Sequence, residues 1–201
     1  MKGKKNHGTP LDKPEWEAMM AIEQALGGKA VPKVDKVEYD TFGFTAADGH
    51  VTGLGLYGKG LTSLPETIGG LKSLKILDLQ ANQLTSLPGT IGELKSLKTL
   101  RLNSNKLTFL PEIITKMTWL EELGLGGNQL TSLPATIGEL KSLQLLVLCY
   151  NKITSLPATI GELKSLSWLV LELNQLTSLP GTVKQSIDDL KKKGCSVSRW
   201  I

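Results

Sequence analysis

Histidine and cysteine are scarce in this sequence, and their scarcity limits the chemistry it can support. The 201 residues include two histidines, His7 and His50, and two cysteines, Cys149 and Cys195. A serine or threonine hydroxyl without a neighbouring base is inert as a nucleophile. The chain has no Cys-x-x-Cys pair, no paired-histidine motif and no glycine-rich phosphate loop. We therefore predict that the protein is not an enzyme and that it has no catalytic residue, metal site or cofactor.

Long apolar runs and aromatic residues are missing as well. Aromatic residues make up 5% of the chain, and no apolar run reaches the roughly 20 residues of a membrane span. No apolar run follows the polar residues 1–7, so we expect no signal peptide. The formal charge of +4 comes largely from lysines at 2–5 and 191–193. A nucleic-acid surface would need a basic stripe with aromatic residues, so we predict neither a nucleic-acid partner nor a membrane span.

The dominant feature is a repeat with a period of 23 residues. Its first full copy covers residues 74–94 and reads Leu-x-x-Leu-x-Leu-x-x-Asn-x-Leu-Thr-Ser-Leu-Pro-x-x-Ile-Gly-x-Leu. Further copies begin at Leu97, Leu120, Leu143 and Leu166. An unbroken period of this length predicts a stacked solenoid. One coil is too small to bury its own leucines, so only stacking produces a core.

Within each repeat, the spacing of the leucines predicts a short strand. Leu77 and Leu79 alternate with Asp78, which places the leucines on one face and the intervening residue on the other. Pro88 opens the outer segment of the coil, from which Ile91 is expected to point inward. Trp119 replaces a serine that recurs in the other copies, and we expect local repacking on the outer side there.

Leucine, asparagine and the Leu-Pro pair recur in phase over five copies. On these residues, the stretch 51–180 resembles the leucine-rich repeat family, in its short 23-residue, Leu-Pro-containing class of intracellular and microbial proteins. The resemblance implies an α/β solenoid, a right-handed superhelix in a horseshoe arc with a parallel concave sheet. It also implies a buried ladder of asparagine side chains that bond the backbone of adjacent coils. The ladder positions are Asn82, Asn105, Asn128, Asn151 and Asn174.

The segments outside the repeats are expected to be a tail and two caps. We predict a mobile tail at 1–12, an N-terminal cap of helix and β-hairpin at 13–50, repeats at 51–180 and a C-terminal helical cap at 181–201. Asp12 suits the start of a helix over about 14–26, and strands are expected at 37–44 and 51–56. Lys59 replaces the ladder asparagine in a degenerate first coil, and we expect it to bend into solvent. Trp200 is expected to cover the last core layer.

The two cysteines are expected to stay unpaired. If Cys195 shares the strand column of Cys149, two strand spacings of roughly 10 Å in total separate them. A disulfide requires Cα atoms within about 7 Å. Free thiols and the absence of a leader fit a reducing compartment, so we predict a cytoplasmic location.

The residues interleaved with the leucines are the candidate binding site, because the resemblance implies binding through the concave strand face. Early coils present residues that we expect to be polar and adjustable: Asp78, Gln80, Arg101 and Asn103. Later coils present an apolar group with its flanking residues: Leu145, Val147, Cys149, Tyr150, Trp168, Val170, Glu172 and Leu173. Between them, Gly124, Gly126 and Gly127 are expected to form a bare strip. Apolar patches mark contact sites, and Trp and Tyr are favoured anchors.

Several interpretations of this patch stay open at the level of sequence. The first is a protein partner of unknown identity, with intracellular signalling as the setting that the resemblance implies. A second copy of the chain, as a homodimer or a self-assembling scaffold, is another. The C-terminal cap is a further candidate cover, and a patch without any function is also an open alternative. An extracellular, adhesin-like protein that recognises a ligand or surface is the remaining alternative.

Overall fold

A computed structural model of the chain describes residues 5, 6 and 8–198, and its largest element is an open sheet of eight strands. These strands are β3 (Phe42–Ala47), β4 (His50–Leu56), β5 (Ile76–Asp78), β6 (Thr99–Arg101), β7 (Glu122–Gly124), β8 (Leu145–Val147), β9 (Trp168–Val170) and β10 (Ser196–Val197). They lie side by side in chain order, with β3 antiparallel to β4 and every later pair parallel. The predicted α/β solenoid with a parallel sheet is confirmed.

The register of the sheet follows the 23-residue period. Leu77 lies beside Leu54 on one side and Leu100 on the other, and the same step continues through β9. Equivalent residues of successive coils therefore form continuous columns across the sheet. The leucine columns are buried and form one continuous core.

Short helices close the outer side of each coil. Four are 3-10 helices, at Glu66–Gly70, Gly89–Glu93, Ala135–Glu139 and Ala158–Glu162, and one is the single-turn helix α2 (Glu112–Thr115). A proline precedes each of them, and its fixed φ sets the direction in which the helix starts. The glycine of the recurring Ile-Gly pair permits close stacking. A Cβ atom on Gly138 would lie 2.5 Å from the carbonyl oxygen of Thr159 in the next coil.

Trp119 repacks the outer side locally, as expected. Its indole nitrogen donates to the carbonyl oxygen of Leu94 at 3.1 Å, and the Lys95 ammonium lies 4.4 Å from the ring centroid.

The ladder asparagines join neighbouring coils through side-chain to backbone hydrogen bonds. The Asn128 oxygen accepts from the backbone N–H of Leu107 at 3.0 Å. Its amide nitrogen donates to the carbonyl oxygens of Leu102 at 2.9 Å and Leu125 at 3.0 Å. Asn82, Asn105, Asn151 and Asn174 repeat this pattern. Asn174 is half-buried where the other four are buried, so the ladder is less covered at its last rung.

Helix α1 (Lys13–Ala25) closes the N-terminal end of the stack. The Asp12 carboxylate caps it by accepting from the backbone N–H of Glu15 at 2.9 Å. Ala18, Met19 and Ile22 on its inner face are buried in the core. Within the predicted mobile tail, β1 (Lys5–Asn6) and β2 (Thr9–Pro10) pair antiparallel and Leu11 is buried. The division at residues 13, 51 and 181 stays a prediction.

The hairpin of β3 and β4 forms the edge of the sheet, but the expected start of its first strand was wrong. This strand begins at Phe42 rather than at residue 37. Lys59 is half-exposed, and its ammonium lies 4.4 Å from the centroid of the Phe42 ring, in a cation–π contact.

Helix α3 (Gly181–Lys192) and strand β10 close the other end. Val183, Ile187 and Leu190 bury the inner face of the helix, and Gly194 follows it at φ +93.

Both cysteines are free. Because Ser196 pairs with Trp168, Cys195 does not share the column of Cys149. Trp200 lies outside the described residues. In the part of the chain that the structure describes, every helix is too short or too polar to cross a bilayer.

The asparagine ladder predicts that alanine substitution destabilises the protein more at Asn128 than at Asn174. Asn128→Ala leaves one backbone N–H and two carbonyl groups without their side-chain partner, so we expect the free energy of unfolding to fall by about 3 kcal/mol. At the half-buried Asn174, where water replaces part of the lost bonding, we expect a loss of about 1 kcal/mol. Urea denaturation measures both, with the exposed neighbour Gln129→Ala as control. Equal losses at the two asparagines would contradict this account.

Candidate functional site

The strand face opposite the buried leucines carries two groups of side chains, and the register sets their positions. We call Asp78, Gln80, Arg101 and Asn103 the polar half, and Leu145, Val147, Trp168 and Val170 the apolar half. Asp78 lies beside Arg101 in neighbouring strands, and Val147 lies beside Val170. The strand-face residues named from the sequence therefore lie beside one another across the sheet. The two halves differ in how tightly their side chains are held by neighbouring groups.

The polar half is tied together around a buried carboxylate. Asp78 is fully buried, which corrects the expectation that it is exposed and adjustable. Its two oxygens accept from the backbone N–H and the side-chain amide of Gln80, each at 3.0 Å. The Arg101 guanidinium lies 3.5 Å away and supplies the opposite charge. A buried carboxylate requires such partners, because its desolvation is costly.

Arg101 is held on three sides. Its Nε donates to the Glu122 carboxylate at 2.9 Å, and its guanidinium carbon lies 4.0 Å from the centroid of the Tyr39 ring. Burial opposes the charge on Arg101, but the hydrogen bond and charge of Glu122 outweigh it, and the pKa of Arg101 is raised. The side chain therefore stays charged and fixed, contrary to the expectation that it is adjustable.

Asn103 fills the strip that was expected to be bare. Its amide nitrogen donates to the Gln80 side chain at 2.7 Å, and its oxygen accepts from the backbone N–H of Gly126 at 2.7 Å. A Cβ atom on Gly124 would lie 2.6 Å from the Asn103 amide nitrogen. Gly124 and Gly126 are thus covered by the chain's own Asn103, so the prediction of a bare strip was wrong at these two glycines.

The apolar half offers large side chains to solvent. Trp168 is 56% exposed, and Leu145, Val147 and Val170 beside it are half-buried. Leu145 pairs in register with Trp168, so the four side chains form one contiguous patch across β8 and β9. Cys149 and Glu172 flank it. Burial, followed by the charge of Glu172, raises the pKa of the Cys149 thiol, so little of the reactive thiolate forms at neutral pH.

Two further apolar side chains stand at the rim of this patch in a strained backbone conformation. Tyr150 (φ +56) and Leu173 (φ +55) precede the ladder asparagines and are 63% and 60% exposed. The equivalent positions in other coils are Gly58, Ala81, Ser104 and Gly127, all at positive φ, and only the two glycines adopt it without strain. Large side chains at exposed, left-handed positions cost stability, so they have no folding advantage there.

The described part of the C-terminal cap leaves the patch uncovered. Helix α3 packs against the outer helix at 158–162, where Ser186 donates to the carbonyl oxygen of Ala158 at 3.0 Å. Strand β10 extends the sheet beyond β9 instead of folding over it.

Sequence reasoning missed Glu122 and Tyr39 as members of the polar half. Glu122 lies one strand from Arg101, and its place in the neighbouring column was a usable signal. Tyr39 comes from the cap, outside the period, and nothing in the sequence pattern connects it to Arg101.

Comparisons with known families agree with this architecture. The family described as leucine-rich repeat region matches residues 50–128, and the family described as leucine rich repeat matches residues 118–176. A comparison with curated protein sequences gives no match.

Solved structures give the same result. A leucine-rich repeat protein of Leptospira interrogans is 40% identical over 74% of this chain and 37% of its own, with a TM-score of 0.67. InlP of Listeria monocytogenes is 29% identical over 74% of this chain and 39% of its own, with a TM-score of 0.61. The plant peptide hormone receptor RGFR1, solved in complex with RGF2, is 27% identical over 64% of this chain and 25% of its own, with a TM-score of 0.51.

The fold, the repeats and these matches show that the chain belongs to the leucine-rich repeat family. Proteins of this family generally mediate protein–protein interaction and are typically non-enzymatic scaffolds. The chain spans less than two fifths of the length of each of these three solved proteins.

The buried network of the polar half predicts that replacing Arg101 destabilises the protein more than replacing the exposed Lys98. Arg101→Met leaves the buried Asp78 without a counter-charge, so we expect the free energy of unfolding to fall by about 3 kcal/mol. Lys98→Met removes the exposed pair that Lys98 makes with Glu121 at 2.8 Å, and we expect a loss below about 0.5 kcal/mol. Urea denaturation of both variants tests this, and a small loss for Arg101→Met would show that the network is not structural.

Proposed function

We propose that the protein is a non-enzymatic binding module whose concave strand face holds another protein through the apolar half. The observation that carries the proposal is the contiguous exposed patch of Leu145, Val147, Trp168 and Val170. Burying such a patch against a partner removes apolar surface from water, which is the main driving force of association. Exposed tryptophan is also a favoured anchor of protein interfaces.

The two residues with strained backbone, Tyr150 and Leu173, also support the proposal that this surface binds a partner. Tyr150 and Leu173 are large, exposed and at positive φ. A position that costs folding free energy and is nonetheless occupied by a large side chain is better explained by contact than by stability. Both residues follow the strands that carry the patch, β8 and β9, and add exposed apolar surface there.

The rigid scaffold explains how such a patch can bind well. The stacked coils and the fixed polar half hold the strands in place, so little conformational entropy is lost when a partner docks. RGFR1, a related structure, is a peptide hormone receptor solved with RGF2, which supports a protein or peptide as the class of ligand. We propose a partner that presents an apolar or aromatic segment to Trp168.

A cytoplasmic location and a part in intracellular signalling remain proposals. The unpaired Cys149 and Cys195 are compatible with a reducing compartment. Detection of the native protein in separated cell fractions tests the location, and recovery on the cell surface or in the medium would favour the adhesin-like alternative.

Trp168→Ala is expected to weaken partner binding strongly without unfolding the protein. Wild-type protein and the variant serve as baits in native extract, captured partners are identified by mass spectrometry, and direct binding is then measured with the purified partner. We expect at least a tenfold loss of affinity, because truncation of an interface anchor typically costs about 2 kcal/mol or more. Phe109→Ala is the matched control, since Phe109 is also 56% exposed but lies outside the strand face.

Equal capture by wild type and a folded Trp168→Ala variant would overturn the proposal. The alternative is that the patch binds a second copy of the chain, and sedimentation of the purified protein tests for such self-association. A dimer or larger assembly that Trp168→Ala dissociates would assign the patch to self-association.

The double variant Tyr150→Gly, Leu173→Gly is expected to separate binding from stability. Glycine relieves the left-handed strain but is more flexible in the unfolded chain, so we expect a net gain of about 0.5 kcal/mol per site. Partner affinity should fall, because the rim contacts are lost. Thermal unfolding and binding of the same preparation measure both effects. Ala81→Gly, at the equivalent φ of +56 in an early coil, is the control that should leave affinity unchanged.

A further inference from the structure

We propose that Asp12, Glu15 and His50 form a binding site for a divalent transition-metal ion of the Zn²⁺ type at the N-terminal cap. The proposal is independent of the concave face. The ligating atoms of the three side chains all lie within 4.8 Å of one another. Glu15 and His50 are far apart in the chain, so sequence analysis, which predicted no metal site, had no motif to detect.

The spacing of the candidate ligands suits a metal ion. Glu15 Oε2 lies 3.5 Å from His50 Nδ1. In a tetrahedral zinc site with bonds of about 2.0 Å, two ligand atoms are about 3.3 Å apart. These two atoms are therefore already near the required separation, and an Asp12 carboxylate oxygen lies within 4.8 Å of both.

Glu15 supplies the observation that points to a ligand. Its side chain is 2% exposed, and Oε2 has no hydrogen-bond donor, while Oε1 accepts from the backbone N–H of Val51 at 3.3 Å. A bound cation would neutralise Glu15 and Asp12 together. It would also bind Oε2, whose contact with His50 is an ion pair at 3.5 Å and not a hydrogen bond.

The fold holds the three residues on rigid elements and leaves the site accessible. Asp12 caps α1, Glu15 lies in the first turn of α1, and His50 begins β4. The His50 side chain is half-exposed and Asp12 is exposed, so an ion can enter and a water can take the fourth position. One imidazole with two carboxylates favours zinc-like ions, whereas Mg²⁺ and Ca²⁺ prefer ligand sets made of oxygen alone.

The test is a calorimetric titration of the full chain with Zn²⁺ after removal of metals by a chelator. We expect one ion per chain and a rise in the midpoint of thermal unfolding, because the ion binds only the folded state. Glu15→Gln and His50→Gln should each weaken binding at least tenfold. Asp12→Asn should also weaken it while keeping the helix cap, since asparagine caps as well as aspartate. Mg²⁺ at the same concentration should give no measurable binding.

Two control variants show whether Zn²⁺ binds to other potential ligands of the chain instead. His7→Gln removes the other histidine, and Cys149→Ser removes the more exposed thiol, and both should bind like the wild type. Absence of binding, unchanged affinity in His50→Gln, or loss of binding in either control would overturn the proposal. If Glu15→Gln does not fold, the half-exposed His50→Gln decides the question by itself, and partner capture through Trp168 is unaffected by either result.

Discussion

The hydrogen bonds that the ladder asparagines make inside the stack are the constraint on which the structure depends. Each coil turns sharply after its strand and leaves backbone N–H and carbonyl groups in a region without water, where an unmade bond is costly. One asparagine satisfies a backbone N–H of the preceding coil and carbonyl groups of two coils, as Asn128 does with Leu107, Leu102 and Leu125. The same bonds hold the coils at a fixed step, so the hydrophobic core and the register of the sheet follow together.

A fixed register converts a linear period into a two-dimensional surface, and the chemistry of that surface differs between its halves. Charged groups that lie close to a sheet must find partners, so Asp78 and Glu122 each form an ion pair with Arg101, which holds the three side chains in place. Apolar groups have no such requirement. Trp168 and its neighbours therefore remain available for contact, and the rigidity of the polar half fixes the platform on which they stand.

At the ends of the stack the sequence departs from the 23-residue repeat, and the residues there make contacts that the repeat does not provide. Lys59, which replaces a ladder asparagine, lies over the Phe42 ring instead of entering the interior. Helix α1 and the β3–β4 hairpin cover the first coil, and their junction brings Asp12, Glu15 and His50 together. A cap must bury apolar surface on one side and face water on the other, and this boundary leaves a buried carboxylate oxygen without a hydrogen bond.

What the sequence by itself determined was everything that repeats. The solenoid, the strand positions, the ladder and the columns of the strand face could be predicted from Asn82 and Leu77 and their copies, because residues one period apart are neighbours in space. Only the tertiary structure decided how the cap meets the repeats. The stacking of Tyr39 on Arg101 and the approach of Glu15 to His50 join residues that share no period. Such contacts depend on how α1 and the hairpin pack against the first coil, and packing is a property of the whole fold rather than of any stretch of sequence.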